Sequence, residues 1–158
     1  MKKAAKLKKF LIGIIVLVIF IQFVRPQKNS GERYPSGNYT TVLSVPADIK
    51  QAVETSCMDC HSNSTHHLWY EEIQPVGWWI NNHIHEGKDE LNFSEFATYS
   101  VKRQAHKLEE CAEQIESGEM PMNSYLWMHD EARLSEEQKV KLKNWFMMQS
   151  QALKFSSP

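Results

Sequence analysis

Cysteine is scarce in this chain, with three in 158 residues. An odd count leaves one thiol outside any pairing, and no second pair of ligands at regular spacing completes a structural zinc site. Convincing strand patterns are absent too. The run Tyr39-Thr-Thr-Val-Leu-Ser-Val is the only extended-looking stretch, and it is too brief to argue a sheet. No internal repeat occurs. Acid is missing from the first 28 residues, which carry seven Lys and Arg. That segment is +7 and the whole chain is −1, so the remainder is −8. An acidic functional part excludes nucleic acid as the partner class and favours a basic protein partner by steering.

What is present is Cys57-Met58-Asp59-Cys60-His61. Two cysteines three apart, with a histidine directly after the second, read as a c-type haem attachment site. Each thiol would form a thioether to a haem vinyl group, and His61 would be the proximal iron ligand. A thioredoxin-like pair would need a βαβ setting, and nothing near residue 57 alternates like a strand. Zinc would have to recruit His66, His67 or Cys111. Cys111, left over, reads as a small buried hydrophobe. One covalent haem c is the expected cofactor.

The N-terminus is basic and then apolar, with FLIGIIVLVIFIQFV from Phe10 to Val24 closed by Arg25-Pro26. No Ala-x-Ala-like cleavage site follows, so residues 1–25 are expected to form an uncleaved membrane anchor. Fifteen helical residues reach only about 22 Å against a hydrocarbon core of about 30 Å. Snorkelling Lys8, Lys9 and Arg25 close much of that gap. Thirteen Leu, Ile, Val and Phe in the run contribute roughly −4 to −8 kcal/mol to insertion. Lysines ahead of the span keep the N-terminus cytoplasmic. The expected location is the cell inner membrane, single-pass, with residues 25–158 on the periplasmic side, where haem attachment is normally made.

Residues 26–45 hold Pro26, Asn29, Ser30, Gly31, Pro35 and Gly37, and read as linker. Residues 46–158 are the expected haem domain. Pro46 opens a helix carrying Ile49, Ala52, Val53 and Cys57. A second helix begins at Pro75 and runs through Trp78, Trp79, Ile80, His83 and Ile84 towards Gly87, the expected C-cap. Val101, Ala105, Leu108, Ala112 and Ile115 form the stripe of a third, ending at Gly118. Ser135 and Gln138 make a capping box for a fourth, with Leu142, Trp145, Phe146, Gln149 and Leu153 on one side. The expected fold is all-α: about four helices around one covalent haem, after one transmembrane helix.

His61 leaves one axial position on the iron. A methionine there raises the reduction potential relative to a second histidine and blocks oxygen chemistry. Met58 is tethered between the thioethers, and Met147 and Met148 follow a core pattern. Met120 and Met122 flank Pro121, which stiffens their loop. Met120 heads the candidates, followed by Met122 and then His83. His85, His106 and His129 are expected at the surface, and His66 and His67 would need an awkward extended path. The function read from these residues is one-electron transfer rather than an enzymatic reaction, with an unidentified redox partner. A haem-based sensor or small-ligand binder with an open distal site is the alternative.

Cys57-Met-Asp-Cys-His-Ser-Asn, Trp69-Tyr, Pro75-Val-Gly-Trp-Trp, His83, Glu86-Gly87, Leu91-Asn-Phe-Ser94, Gly118-Glu-Met-Pro121 and Leu134-Ser135 together resemble the haem-binding domain family. Its members are small single-haem proteins similar to class I cytochromes c, often behind one membrane span. The resemblance covers roughly residues 45–150 and implies haem binding. In the wider cytochrome c pattern a Met before Pro is commonly the distal ligand, which implies Met120 rather than Met122.

Overall fold

A computed structural model describes residues 2–156. Its helices are α1 (Lys2–Ile21), α2 (Ala47–Ser56), α3 (Val76–Glu90), α4 (Val101–Ser117), α5 (Asn123–Leu126) and α6 (Glu136–Ser156). No strand occurs among the described residues; one isolated bridge joins Ser30 to Ser64. The all-α expectation holds, and the four long helices beyond α1 are those the sequence marks.

Local chemistry explains their limits. Ser100 caps α4 by accepting from the Arg103 N–H, and Gly118 ends it at φ 75°, a left-handed conformation that glycine adopts without penalty. At α6 both halves of the capping box form: Ser135 Oγ accepts from Gln138 N at 3.2 Å, and Gln138 Oε1 from Ser135 N at 2.8 Å. The α4 stripe then packs along α6, burying Leu108, Leu142 and Phe146 completely. Ile49 and Val53 of α2 join this core. Each such side chain contributes about 1.5–3 kcal/mol by leaving water.

Segment 26–45 has a loop backbone with one 3₁₀ turn, Tyr39–Thr41, but it is packed rather than free. Tyr39 and Leu43 sit in the core. The Tyr39 ring lies 5.1 Å from that of Phe93, and its N–H donates to the Phe93 carbonyl. Proline and glycine content marks the irregular backbone, but not that its aromatic residue fills the core.

One expectation needs correction. Gly87 does not cap α3, which continues to Glu90 and closes when the Leu91 N–H donates to the Gly87 carbonyl. The transmembrane helix expected over residues 1–25 finds no support in α1: among the described residues no helix is long and apolar enough to cross a membrane. The helix stops at Ile21, so its apolar part, 10–21, measures about 18 Å. Gln22 to Val24 continue it as tighter turns through i→i+3 hydrogen bonds. Every Leu, Ile, Val and Phe from Leu7 to Phe20 is exposed.

Candidate functional site

The Cys57–His61 turn follows α2 directly. Cys57 is the C-cap, its N–H donating to the Val53 carbonyl, and the His61 N–H donates to the Cys57 carbonyl. Met58, between the two cysteines, is fully buried in the core and pins the turn to the scaffold. Asp59 faces the other way and organises its surroundings. It pairs with Arg33 at 3.0 Å, accepts from the His66 N–H at 3.1 Å, and accepts from the Tyr125 hydroxyl at 3.0 Å. Behind the turn, α3 comes so close that a Cβ on Gly87 would lie 2.9 Å from the Cys60 carbonyl oxygen. Close approach is therefore the role of Gly87.

His61 is oriented through its backbone and its ring. The Phe93 N–H donates to its carbonyl, and its Nδ1 is 3.0 Å from the Leu91 carbonyl. A proton on Nδ1 donated there leaves the Nε2 lone pair free, the arrangement metal-ligating histidines use. Burial holds the His61 pKa below its ordinary value, partly offset by hydrogen bonds to the Leu91 and Gly87 carbonyls. The imidazole is thus kept in the neutral form that can bind a metal. Burial, with the Cys60 sulfur nearby, pushes the Cys57 thiol up to about 12. Burial and Asp59 push Cys60 up to about 12. All three cysteines are free. Cys57 and Cys111 pack against the core.

Beside Cys60 opens a cleft of about 300 Å³ between the residue 59–84 stretch and the residue 122–129 loop. Its walls are mainly apolar and aromatic, including Trp69, Trp79, Ile80, Ile84, Trp127 and Met128. Trp69 and Trp127 are 71% and 80% exposed, so this side of the molecule leaves its largest rings uncovered.

A family model described as a haem-binding domain matches residues 16–148. The chain belongs to the haem-binding domain family. No curated protein and no solved structure matches it.

This haem-binding domain brings only part of the sequence-derived set to the cleft. Cys60, Met122 and His83 line it; Cys57, His61 and Met120 are not among its lining residues. His83 is held on α3 with Nδ1 2.9 Å from the Trp79 carbonyl and its ring 4.4 Å from that of Trp79. Met120 is half-buried, its N–H donating to the Gln114 carbonyl at the end of α4. Among the described residues no three His, Cys, Asp or Glu gather as a metal site of their own. The donor chemistry fits a haem: uncharged thiols, a neutral imidazole with one nitrogen committed, thioethers in one nearby loop, and a largely apolar cleft of a size typical for cofactors.

Several residues of the site escape sequence reasoning. His129, expected at the surface, is buried in the cleft wall. Its ring stacks 4.0 Å from that of Tyr125, its Nδ1 is 3.0 Å from the Tyr125 carbonyl, and its Nε2 is 3.4 Å from the Tyr70 hydroxyl. Burial pushes the Tyr70 hydroxyl up to about 12 and raises that of Tyr125 further. His66 also lines the cleft, reached by a short loop that Asp59 ties down. The i, i+4 spacing of Tyr125 and His129 was the one available signal. It lies in a segment with no apolar periodicity to draw attention to it.

Proposed function

We propose that this haem-binding protein is a membrane-anchored, c-type cytochrome-like electron carrier rather than an enzyme. Cys57 and Cys60 would hold one haem by thioethers, and His61 Nε2 would be the proximal iron donor. The observation that carries the reading is the His61 geometry, a half-buried neutral imidazole fixed through Nδ1 directly after a thiol pair of which Cys60 borders an apolar cleft. A bound haem supplies reversible one-electron oxidation and reduction of its iron. The chain holds His61 in one tautomer, fixes Cys60 against Gly87, and lines the cleft with apolar rings. Such fixed surroundings keep reorganisation small and set the potential.

The distal donor is assigned to the 120–122 loop. The family pattern supports Met120, and the cleft lining supports Met122. The Met120→Ala and Met122→Ala variants separate them: the true ligand's variant loses the low-spin Met-ligated spectrum and shifts the potential, while the other keeps both. If both variants keep the parent spectrum, methionine ligation is wrong. The proposed site of action is the periplasmic face of the inner membrane, with a redox partner protein. The exposed apolar surface of α1 behind a basic N-terminus supports the anchor.

A second reading, reversible binding of a small ligand at an open distal position, draws support from the polar His129–Tyr70–Tyr125 cluster in the cleft wall. Carbon monoxide separates the two. The carrier reading expects slow or no binding to the native reduced protein, and immediate binding favours the sensor.

A further inference from the structure

The end of α1 is fastened to the haem domain at one place. Gln22 and Gln74 exchange hydrogen bonds: Gln22 Nε2 donates to the Gln74 carbonyl at 3.0 Å, and the Gln74 N–H donates to Gln22 Oε1 at 2.9 Å. The Trp78 indole N–H donates to the Val24 carbonyl at 2.7 Å. Arg25 and Lys28 both pair with Glu72. The helix end and the 72–78 stretch therefore form a fixed junction rather than a swivel. Around that junction the apolar side chains point outward. Phe23 is 81% exposed, and Ile73 and Val76, flanking the buried Gln74, are 46% and 41% exposed.

We infer that this edge of the domain, centred on Ile73 and Val76, docks into the interfacial layer of the bilayer that holds α1. The inference rests on the anchor reading proposed above. Two features support it. The first is depth. The apolar helix 10–21 supplies only about 18 Å of a core of about 30 Å. Lys8 and Lys9 reach outward at one end. At the other end, apolar groups buried about 5–10 Å into the headgroup boundary make up what the helix lacks. The second is proximity, since the Gln22–Gln74 and Trp78–Val24 hydrogen bonds bring exposed Phe23 and Val24 to the stretch that carries Ile73 and Val76. The Arg25–Glu72–Lys28 cluster sits beside it as a polar belt suited to headgroups. A helix lying flat on the surface would need a polar face, and residues 10–21 have none. Val76 also lines the haem cleft, so the docked edge borders the cleft.

The test uses the full-length, haem-loaded chain in vesicles of phosphatidylethanolamine and phosphatidylglycerol. A photoreactive phenylalanine analogue replaces Ile73, Val76, Leu17 or Val140 singly. Leu17 reports the anchor, Val140 on α6 is the exposed control, and circular dichroism confirms folding. Lipid adducts at 73 and 76 are expected close to the Leu17 level and about tenfold above Val140. Adducts at Leu17 but not at 73 or 76 overturn the docking and leave the anchor standing. Protein–protein adducts at 73 and 76 assign the surface to a second copy and likewise overturn it. No lipid adduct at Leu17 removes the anchor and the docking with it.

Discussion

The two sides of the Cys57–His61 turn are built on opposite principles. On the scaffold side, α2, α4 and α6 cover one another, and Leu108, Leu142 and Phe146 keep no contact with water. On the cleft side, α3 and the 122–129 loop leave Trp69, Trp79 and Trp127 largely uncovered. One side satisfies its own apolar surface; the other leaves rings and thioethers around an open cleft. Met58 is rooted in the first and Cys60 opens on the second, so the attachment motif is the seam between them.

The largest expected effect comes from cutting that seam. The double variant Cys57→Ser, Cys60→Ser should lose all covalent haem. Its amide hydrogen exchange should quicken around α3 and residues 122–129 while α4 and α6 stay protected. Uniform loosening of both sides would abolish the distinction. Next is a contrast of aromatic truncations in the haem-free chain. Phe146→Ala should lower stability by about 3–5 kcal/mol, and Trp127→Ala by less than about 0.5 kcal/mol, measured by urea unfolding. With haem bound, the Trp127 variant should become measurably costly, because its ring then has a partner.

Gly87→Ala probes the seam from behind. The added Cβ would meet the Cys60 carbonyl at 2.9 Å, and relieving that contact should cost about 1–3 kcal/mol and disturb the haem spectrum. The smallest effect is on pH dependence. Both thiols of the haem-free chain are raised from 9.0 to about 12. A raised thiol pKa means that the fold retains protons the unfolded chain releases. This contribution is whole below pH 9.0 and is lost as pH climbs towards about 12. Thioethers carry no such proton, so the haem-loaded chain should show a smaller alkaline loss, keeping only the share of buried groups such as Cys111, whose thiol burial also raises. His61 acts at the other end: its lowered pKa means stability falls as pH drops through 6.5. Unfolding midpoints from mildly acidic to about pH 10, with and without haem, check both signs.

The scaffold side was the legible one. The α4 stripe, the Ser135–Gln138 capping box and the Gly118 stop are local signals, each decided within one or two turns of helix. The cleft side depends on contacts between distant residues. Asp59 meets Arg33, His66 and Tyr125 across 26, 7 and 66 positions, and no spacing rule announces such partners. Gly87 was legible as a special position, yet its reason lies in Cys60, 27 residues earlier in the chain. His129 looked like a surface residue because burial by aromatic stacking leaves no periodic trace. The apolar N-terminal run was plain from the sequence, but the end of its helix was not. Ile21 is the last helical residue, and the hydrogen bonds between Gln22 and Gln74 reach across 52 positions.

The central claim is covalent haem on Cys57 and Cys60 with His61 beneath it. A pyridine haemochrome spectrum combined with intact mass, on protein purified from cells competent in haem attachment, tests it most directly. The expected result is a c-type spectrum and a mass increase of one haem per chain, lost in the double cysteine variant. A colourless protein of unmodified mass would contradict the account.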